Sequence, residues 1–153
     1  MWMLWYEMKL YHLTPKFLYD SHIKHEGLVP QPIDSGYAAQ NDHIPENAIF
    51  CWPKYKKKWV KDWIIFNKLK TKNKYDDYVL LQVKVPMKSV VYKLKNGDIL
   101  DSTHTLSVSA TGSHGITAYV PHTKVPLRMV VDVIPPEDIT PVLKISTYRA
   151  EEI

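Results

Sequence analysis

Apolar and polar positions at the start of the chain predict a strand followed by a helix. The residues from Lys9 to Leu13 have the pattern of a strand, and Pro15 marks its end. Apolar anchors then predict a helix from Lys16 to about His25. Gly27 is the residue type that commonly follows the last turn of a helix.

The middle of the chain repeats this order with a more apolar strand and a longer helix. Residues 31–47 are dense in turn-forming residues and are predicted to be a loop. Ala48 to Trp52 is a short apolar run typical of a buried strand. From Pro53 to about Leu69 the period changes to that of an amphipathic helix, and proline suits a first helical turn. The apolar stripe of this helix is largely aromatic: Tyr55, Trp59, Trp63 and Phe66.

The rest of the chain is predicted to consist mostly of strands. Tyr78 to Val85 is the clearest of them, and Asn96-Gly97 is a strong signal for a hairpin. Further strands are predicted at Val90–Leu94, Ile99–Leu100, Leu106–Val108, Ile116–Val120 and Leu127–Ile134, with an edge strand at Val142–Thr147. Two helices near the front and many strands behind them, without βαβ repeats, predict an α+β domain.

Composition narrows the class of protein without indicating a function. A chain of 153 residues with 45% hydrophobic and 24% charged residues suits one globular domain, in which residues 1–7 form an N-terminal extension. Cys51 is the single cysteine, so the fold does not depend on an internal disulfide. No apolar run is long enough for a membrane span and no cleavable leader pattern is present, which predicts a cytoplasmic protein.

Positive charge is concentrated in residues 53–74, although the net charge of the chain is only +4. A basic patch of this kind attracts phosphates, and it is also typical of the solvated face of a helix. If the patch is functional, its partner is a nucleic acid or an acidic protein, and the residues that would bind it are Lys54, Lys57, Lys58 and Lys61.

One histidine, His12, stands apart because it lies inside an apolar strand. The chain has no GxGxxG, P-loop, HExxH, CxxC or GxSxG motif. His22 and His25 lie at i, i+3 on the predicted first helix, but no acidic or cysteine partner stands at ligand spacing beside them, so no metal site is predicted. From composition alone, His12 is either a hydrogen-bonded core residue or a functional group.

The order of segments around His12 resembles the opening of the ADP-ribosyltransferase-like superfamily, in its histidine-motif branch. Members of that branch often begin with a strand ending in Tyr-His-Gly-Thr, then a helix and a Gly-Leu-x-Pro segment. The matching residues here are Tyr11-His12-Leu13-Thr14 and Gly27-Leu28-Val29-Pro30. Residues 48–52 resemble the second strand of the family, and residues 131–139 resemble its late strand and turn. The resemblance implies a mixed, mainly antiparallel split sheet with two N-terminal helices.

The resemblance also implies a ligand and a set of roles. The ligand is NAD, used as a substrate whose ADP-ribose is transferred to a protein or nucleic-acid acceptor. His12 would contact the nicotinamide ribose, the Leu13 backbone would pair with the carboxamide, and Thr14 would add a supporting hydroxyl. The aromatic side chains placed to stack on the nicotinamide ring are Phe50, Trp52 and Tyr55.

Two positions depart from the family pattern. The strand Ile116–Val120 lies where many members carry their catalytic glutamate, and it contains none. Leu13 replaces the usual glycine after the histidine. Cleavage of the glycosidic bond builds positive charge on the ribose, so a carboxylate is needed, and Asp132 is the preferred candidate over Glu137. The missing glutamate favours the alternative: a non-catalytic module that binds nucleic acid or protein through its basic helix.

Overall fold

The computed structural model describes residues 7–32, 47–71, 76–91, 109–111, 117–119, 128–146 and 149–153. Its first helix, α1, spans residues 16–26 as an α-helical segment Lys16–Leu18, a π-helical segment Tyr19–Ile23 and a second α-helical segment Lys24–Glu26. The second helix, α2, is Lys57–Thr71. The two predicted helices are therefore confirmed.

The strands form two four-stranded sheets and a separate hairpin within the described ranges. The first sheet has the order β1-β4-β9-β10, the second has the order β2-β3-β8-β5, and β6 pairs with β7. Every ladder among these strands is antiparallel, which confirms a mainly antiparallel α+β fold. The strands are β1 (Glu7–Pro15), β2 (Gln31–Pro32), β3 (Asn47–Cys51), β4 (Asp77–Pro86), β5 (Val90–Val91), β6 (Ser109–Thr111), β7 (Thr117–Tyr119), β8 (Arg128–Val130), β9 (Ile139–Ser146) and β10 (Arg149–Glu152).

Both sheets bury side chains on both faces, because one helix packs on each side. The core on the α2 side includes Leu13, Trp52, Val60, Tyr78, Leu80 and Leu143. The core on the α1 side includes Leu10, Ile23, Ile49, Cys51, Val79 and Val83. Strand alternation therefore sends odd residues of β1 toward α2 and even residues toward α1. Burial raises the pKa of the Cys51 thiol, so this cysteine stays protonated and serves as a core residue.

Three predicted boundaries differ from the observed ones. Helix α2 begins at Lys57 and not at Pro53, because Trp52 is hydrogen-bonded to β1 and the chain bends before the helix starts. The predicted strand 127–134 is regular only over Arg128–Val130, and the chain then bends at Asp132. Part of the predicted loop 31–47 is the short strand β2.

The predicted edge strand near the C-terminus is not an edge. Strand β9 starts at Ile139 and lies between β4 and β10, because residues 149–152 add a further strand that the alternation did not reveal. The predicted strands at 99–100 and 106–108 and the hairpin turn at 96–97 lie outside the described residues, as does most of the strand 90–94.

Candidate functional site

The first and second sheets are hydrogen-bonded to each other at one end of one edge of β3 and are separated further along that edge. Trp52, just after β3, exchanges two backbone hydrogen bonds of 2.8 Å with Tyr11 of β1. At the other end of the same edge, Ala48 pairs with Gln31 of β2. Because backbone groups alternate between the two edges of a strand, Phe50, midway between, directs its N–H and C=O to this edge. We call this place, where β1 has separated from β3, the split.

His12 closes one side of the split through its side chain. Its Nδ1 lies 2.8 Å from the carbonyl oxygen of Phe50. A carbonyl oxygen only accepts hydrogen bonds, so Nδ1 carries the proton and donates. In a neutral imidazole this leaves the Nε2 lone pair as an acceptor. The bond fills the position that a further β1–β3 backbone pair would otherwise occupy.

Burial of the ring lowers the pKa of His12 from 6.5, and the bond to Phe50 opposes this shift without cancelling it. The histidine is therefore neutral near neutral pH. An unfolded chain binds a proton on this histidine at a higher pH than the folded chain does. The free energy of unfolding therefore gains a contribution above pH 6.5 that is lost as the pH falls toward the folded-state pKa.

We expect a His12→Gln variant to lose this part of the pH dependence. Urea unfolding of the wild type and of the variant, at about pH 7.5 and at about pH 5.5, measures this pH dependence, because the two proteins have all other titrating groups in common. The stability of the wild type should fall more on acidification than that of the variant. His25→Gln, on the exposed end of α1, is the matched control and should follow the wild type. Identical pH dependence in His12→Gln and wild type would contradict this account.

Leu13 presents its backbone, not its side chain, to the split. The side chain is buried in the core on the α2 side. Tyr11 uses its N–H and C=O toward β3, so by the same alternation the N–H and C=O of Leu13 point to that edge too. The leucine in place of glycine therefore adds its bulk to the core and leaves the backbone edge unchanged.

The next residue, Thr14, faces the other way. Its side chain is buried, and its hydroxyl donates a long bond of 3.5 Å to the carbonyl oxygen of Pro15. This places the hydroxyl next to the start of α1.

The three candidate aromatic side chains occupy different positions on the α2 side. Phe50 is only partly buried and belongs to the residue whose backbone lines the split. Trp52 is buried, with its ring 6.1 Å edge-on from that of Trp63. The ring of Tyr55 packs edge-on against Tyr11 at 4.8 Å. Phe50 is therefore the aromatic residue of the three best placed to contact a ligand in the split.

Asp132 is exposed at the bend that follows β8. Its Oδ2 accepts a 2.6 Å hydrogen bond from the hydroxyl of Ser89, which is buried. Within the described hydrogen bonds, none joins Asp132 to His12. No local pattern pointed to Ser89, because its pairing with Asp132 spans 43 positions.

The four lysines predicted to bind a partner fall into two groups. Lys54 and Lys58 are exposed and have no acidic partner in the described part of the chain. Lys57 forms an ion pair of 3.5 Å with Glu152 of β10, and Lys61 is only partly exposed. Among the described residues, Lys57 is therefore the one lysine of the four with an acidic partner, and Lys61 differs from Lys54 and Lys58 in its exposure.

Comparison with protein-family models, with curated proteins and with solved structures finds no match to this chain. In the part of the chain that the structure describes, no helix is long and apolar enough to cross a membrane. The same residues contain no cluster of three or more metal-ligating side chains.

Proposed function

We propose that the split is the binding pocket for the nicotinamide half of NAD and that the chain has an ADP-ribosyltransferase-like fold. The observation that carries the proposal is the bond from His12 to the Phe50 carbonyl at the point where β1 leaves β3. That bond holds the histidine next to Leu13, whose N–H and C=O point toward β3. Such a place suits a flat ligand with its own amide group.

The chemistry of nicotinamide matches the groups at the split. A carboxamide both donates and accepts, and the N–H and C=O of Leu13 offer the complementary pair. The Nε2 of neutral His12 accepts a bond from a ribose hydroxyl. The partly buried ring of Phe50 supplies an apolar face. The direction of the Leu13 backbone follows from the strand alternation and the placement of the His12 ring from its bond to Phe50, while the Phe50 ring lies on the α2 side of the sheet.

Transfer of ADP-ribose requires a further group. The bond between nicotinamide and the ribose breaks, nicotinamide leaves with the bonding electrons, and an acceptor nucleophile captures the positive ribose and releases its own proton to solvent. A carboxylate stabilises the positive charge, and the proposal gives this role to Asp132. Because Asp132 is bonded to Ser89 and not to His12, we test transfer separately from binding.

Calorimetry with NAD tests the pocket. We expect NAD to bind, and free nicotinamide to compete with it. Removing the acceptor in a His12→Ala variant should weaken binding by about tenfold, the effect of one hydrogen bond of about 1.4 kcal/mol. His12→Gln keeps a polar side chain in the same space and serves as a second variant, with circular dichroism to verify folding. Unchanged affinity in a folded His12→Ala protein, or no binding of NAD by the wild type, would overturn the proposal.

An Asp132→Asn variant tests the transfer step. If Asp132 stabilises the ribose cation, release of nicotinamide from NAD should fall while NAD affinity is kept. A variant that releases nicotinamide at the wild-type rate removes Asp132 from the mechanism. Ser89→Ala is the companion variant, because it frees the carboxylate without removing it.

A further inference from the structure

Two lysines lie directly opposite each other on neighbouring strands of the first sheet. Lys9 of β1 is paired with Lys84 of β4, and both are exposed. Because Tyr11 bonds to β3, the odd residues of β1 form non-hydrogen-bonded pairs with β4, in which opposing side chains are closest. Like charges in this position destabilise a sheet. In the described part of the chain neither lysine has an acidic partner.

The same face continues from these lysines to Tyr11 and then to the lysine-rich segment before α2. The ring of Tyr55 rests edge-on against Tyr11 at 4.8 Å. Lys54 and Lys56 flank Tyr55 in the chain, and Lys9 lies two positions before Tyr11 on the same face of β1. The contact between the two rings therefore brings the residues around Tyr55 to the face of the first sheet that carries Lys9 and Lys84. We call the surface formed around the two tyrosines the basic surface; its lysines are Lys9, Lys54, Lys56, Lys58 and Lys84.

The charge of the basic surface is not explained by stability. Helix α2 has no acidic residue in its first turn, although its N-terminus carries the positive end of the helix dipole. Lys58 and the lysines just before the helix add positive charge at that end. Lys56 lies 5.0 Å above the ring of Trp59, which orients the ammonium group without neutralising it. Of the nearby acids, Glu152 is paired with Lys57 at 3.5 Å, Glu7 is on the same sheet face as Lys9, and Asp62 is exposed on α2.

We propose that the basic surface binds single-stranded nucleic acid. The lysines supply the charge that attracts a phosphate backbone. Tyr11, Tyr55 and Trp59 are each partly buried aromatic residues set among these lysines, and unpaired bases stack on aromatic side chains in such surroundings. An acidic peptide would use the charge but not the rings, and a duplex keeps its bases stacked inside. The proposal does not depend on NAD binding at the split.

Fluorescence anisotropy with a labelled single-stranded oligonucleotide of about 15 nucleotides tests the proposal, because its length covers one binding site of this kind. We expect binding that weakens steeply with salt. A double variant, Lys58→Glu with Lys84→Glu, should lose at least about tenfold in affinity, since two phosphate contacts become repulsions. The same variant places a carboxylate opposite Lys9 in the sheet, so its melting temperature should be no lower than that of the wild type.

The matched control changes the same charge on the other side of the molecule. Lys24→Glu with Lys144→Glu alters one helix lysine and one strand lysine, and it should change affinity by less than about twofold. His12→Ala should also bind the oligonucleotide normally, which separates this surface from the NAD pocket. Equal losses in the two double variants would overturn the proposal. So would absence of binding at low salt, or tighter binding of the duplex or of polyglutamate.

Discussion

Replacement of Gly27 by alanine is expected to lower the free energy of unfolding by about 3 kcal/mol or more. Gly27 ends α1 with φ of 83° and ψ of −173°, a region open essentially to glycine alone. A Cβ atom there would lie 2.2 Å from the carbonyl oxygen of Ile134. That oxygen accepts a bond from the N–H of Leu28, and Ile134 donates one back, each 2.9 Å long. Relieving the clash therefore disrupts the bridge that ties α1 to the loop after β8.

Urea unfolding measures this effect. Val29→Ala is the control, since Val29 adjoins the same bridge but is 48% exposed, and it should change stability by no more than about 0.5 kcal/mol. Gly27→Asn should not restore stability, because asparagine tolerates the left-handed helical region but not this extended one with positive φ. A Gly27→Ala protein as stable as the Val29→Ala protein would contradict the prediction, because the Leu28–Ile134 bridge would then accommodate the Cβ atom without loss of stability.

Local patterns predicted the elements that depend on local sequence. Strand β1, strand β4 and helix α1 were expected close to their observed positions, since their alternation or period is set by neighbouring residues. Gly27 was expected just after the helix for its permissive backbone. Its second reason, the contact with Ile134, spans more than 100 positions and had no sequence signal.

Pairings between distant strands were beyond the reach of these patterns. The facing lysines Lys9 and Lys84 look unremarkable in sequence, because each alternates normally within its own strand. The same limit placed β9 at an edge, since the partner strand β10 is short and charged. The interaction of Ser89 with Asp132 was missed for the same reason.

The candidate site shows the same division. An apolar strand with one histidine indicated a hydrogen-bonded core residue or a functional group, and His12 is hydrogen-bonded as the first interpretation required. Its place at the split was not visible, because it follows from where β1 leaves β3. The role of His12 toward NAD stays a prediction, as do those of Thr14, Phe50 and Asp132.

A Leu13→Ala variant is expected to lose stability without losing affinity for NAD. The leucine is 8% exposed and packs among residues of the core on the α2 side, so its truncation should lower the free energy of unfolding by about 2–5 kcal/mol. Only its backbone faces the split, so the affinity of the folded protein for NAD should be unchanged. Urea unfolding and calorimetry at low temperature give the two values.

The companion variant Leu143→Ala distinguishes a core effect from a pocket effect. Leu143 is fully buried in the same core but lies on β9, two strands from β1. Both truncations should therefore cost similar stability and leave NAD affinity equal. If Leu13→Ala alone weakened NAD binding in the folded protein, the leucine side chain would have to reach the ligand. In β1, the same alternation points the Leu13 side chain into the core and its N–H and C=O toward the split. A side chain that reached the ligand would contradict this alternation, and with it the assignment of the Leu13 backbone as the partner of the carboxamide.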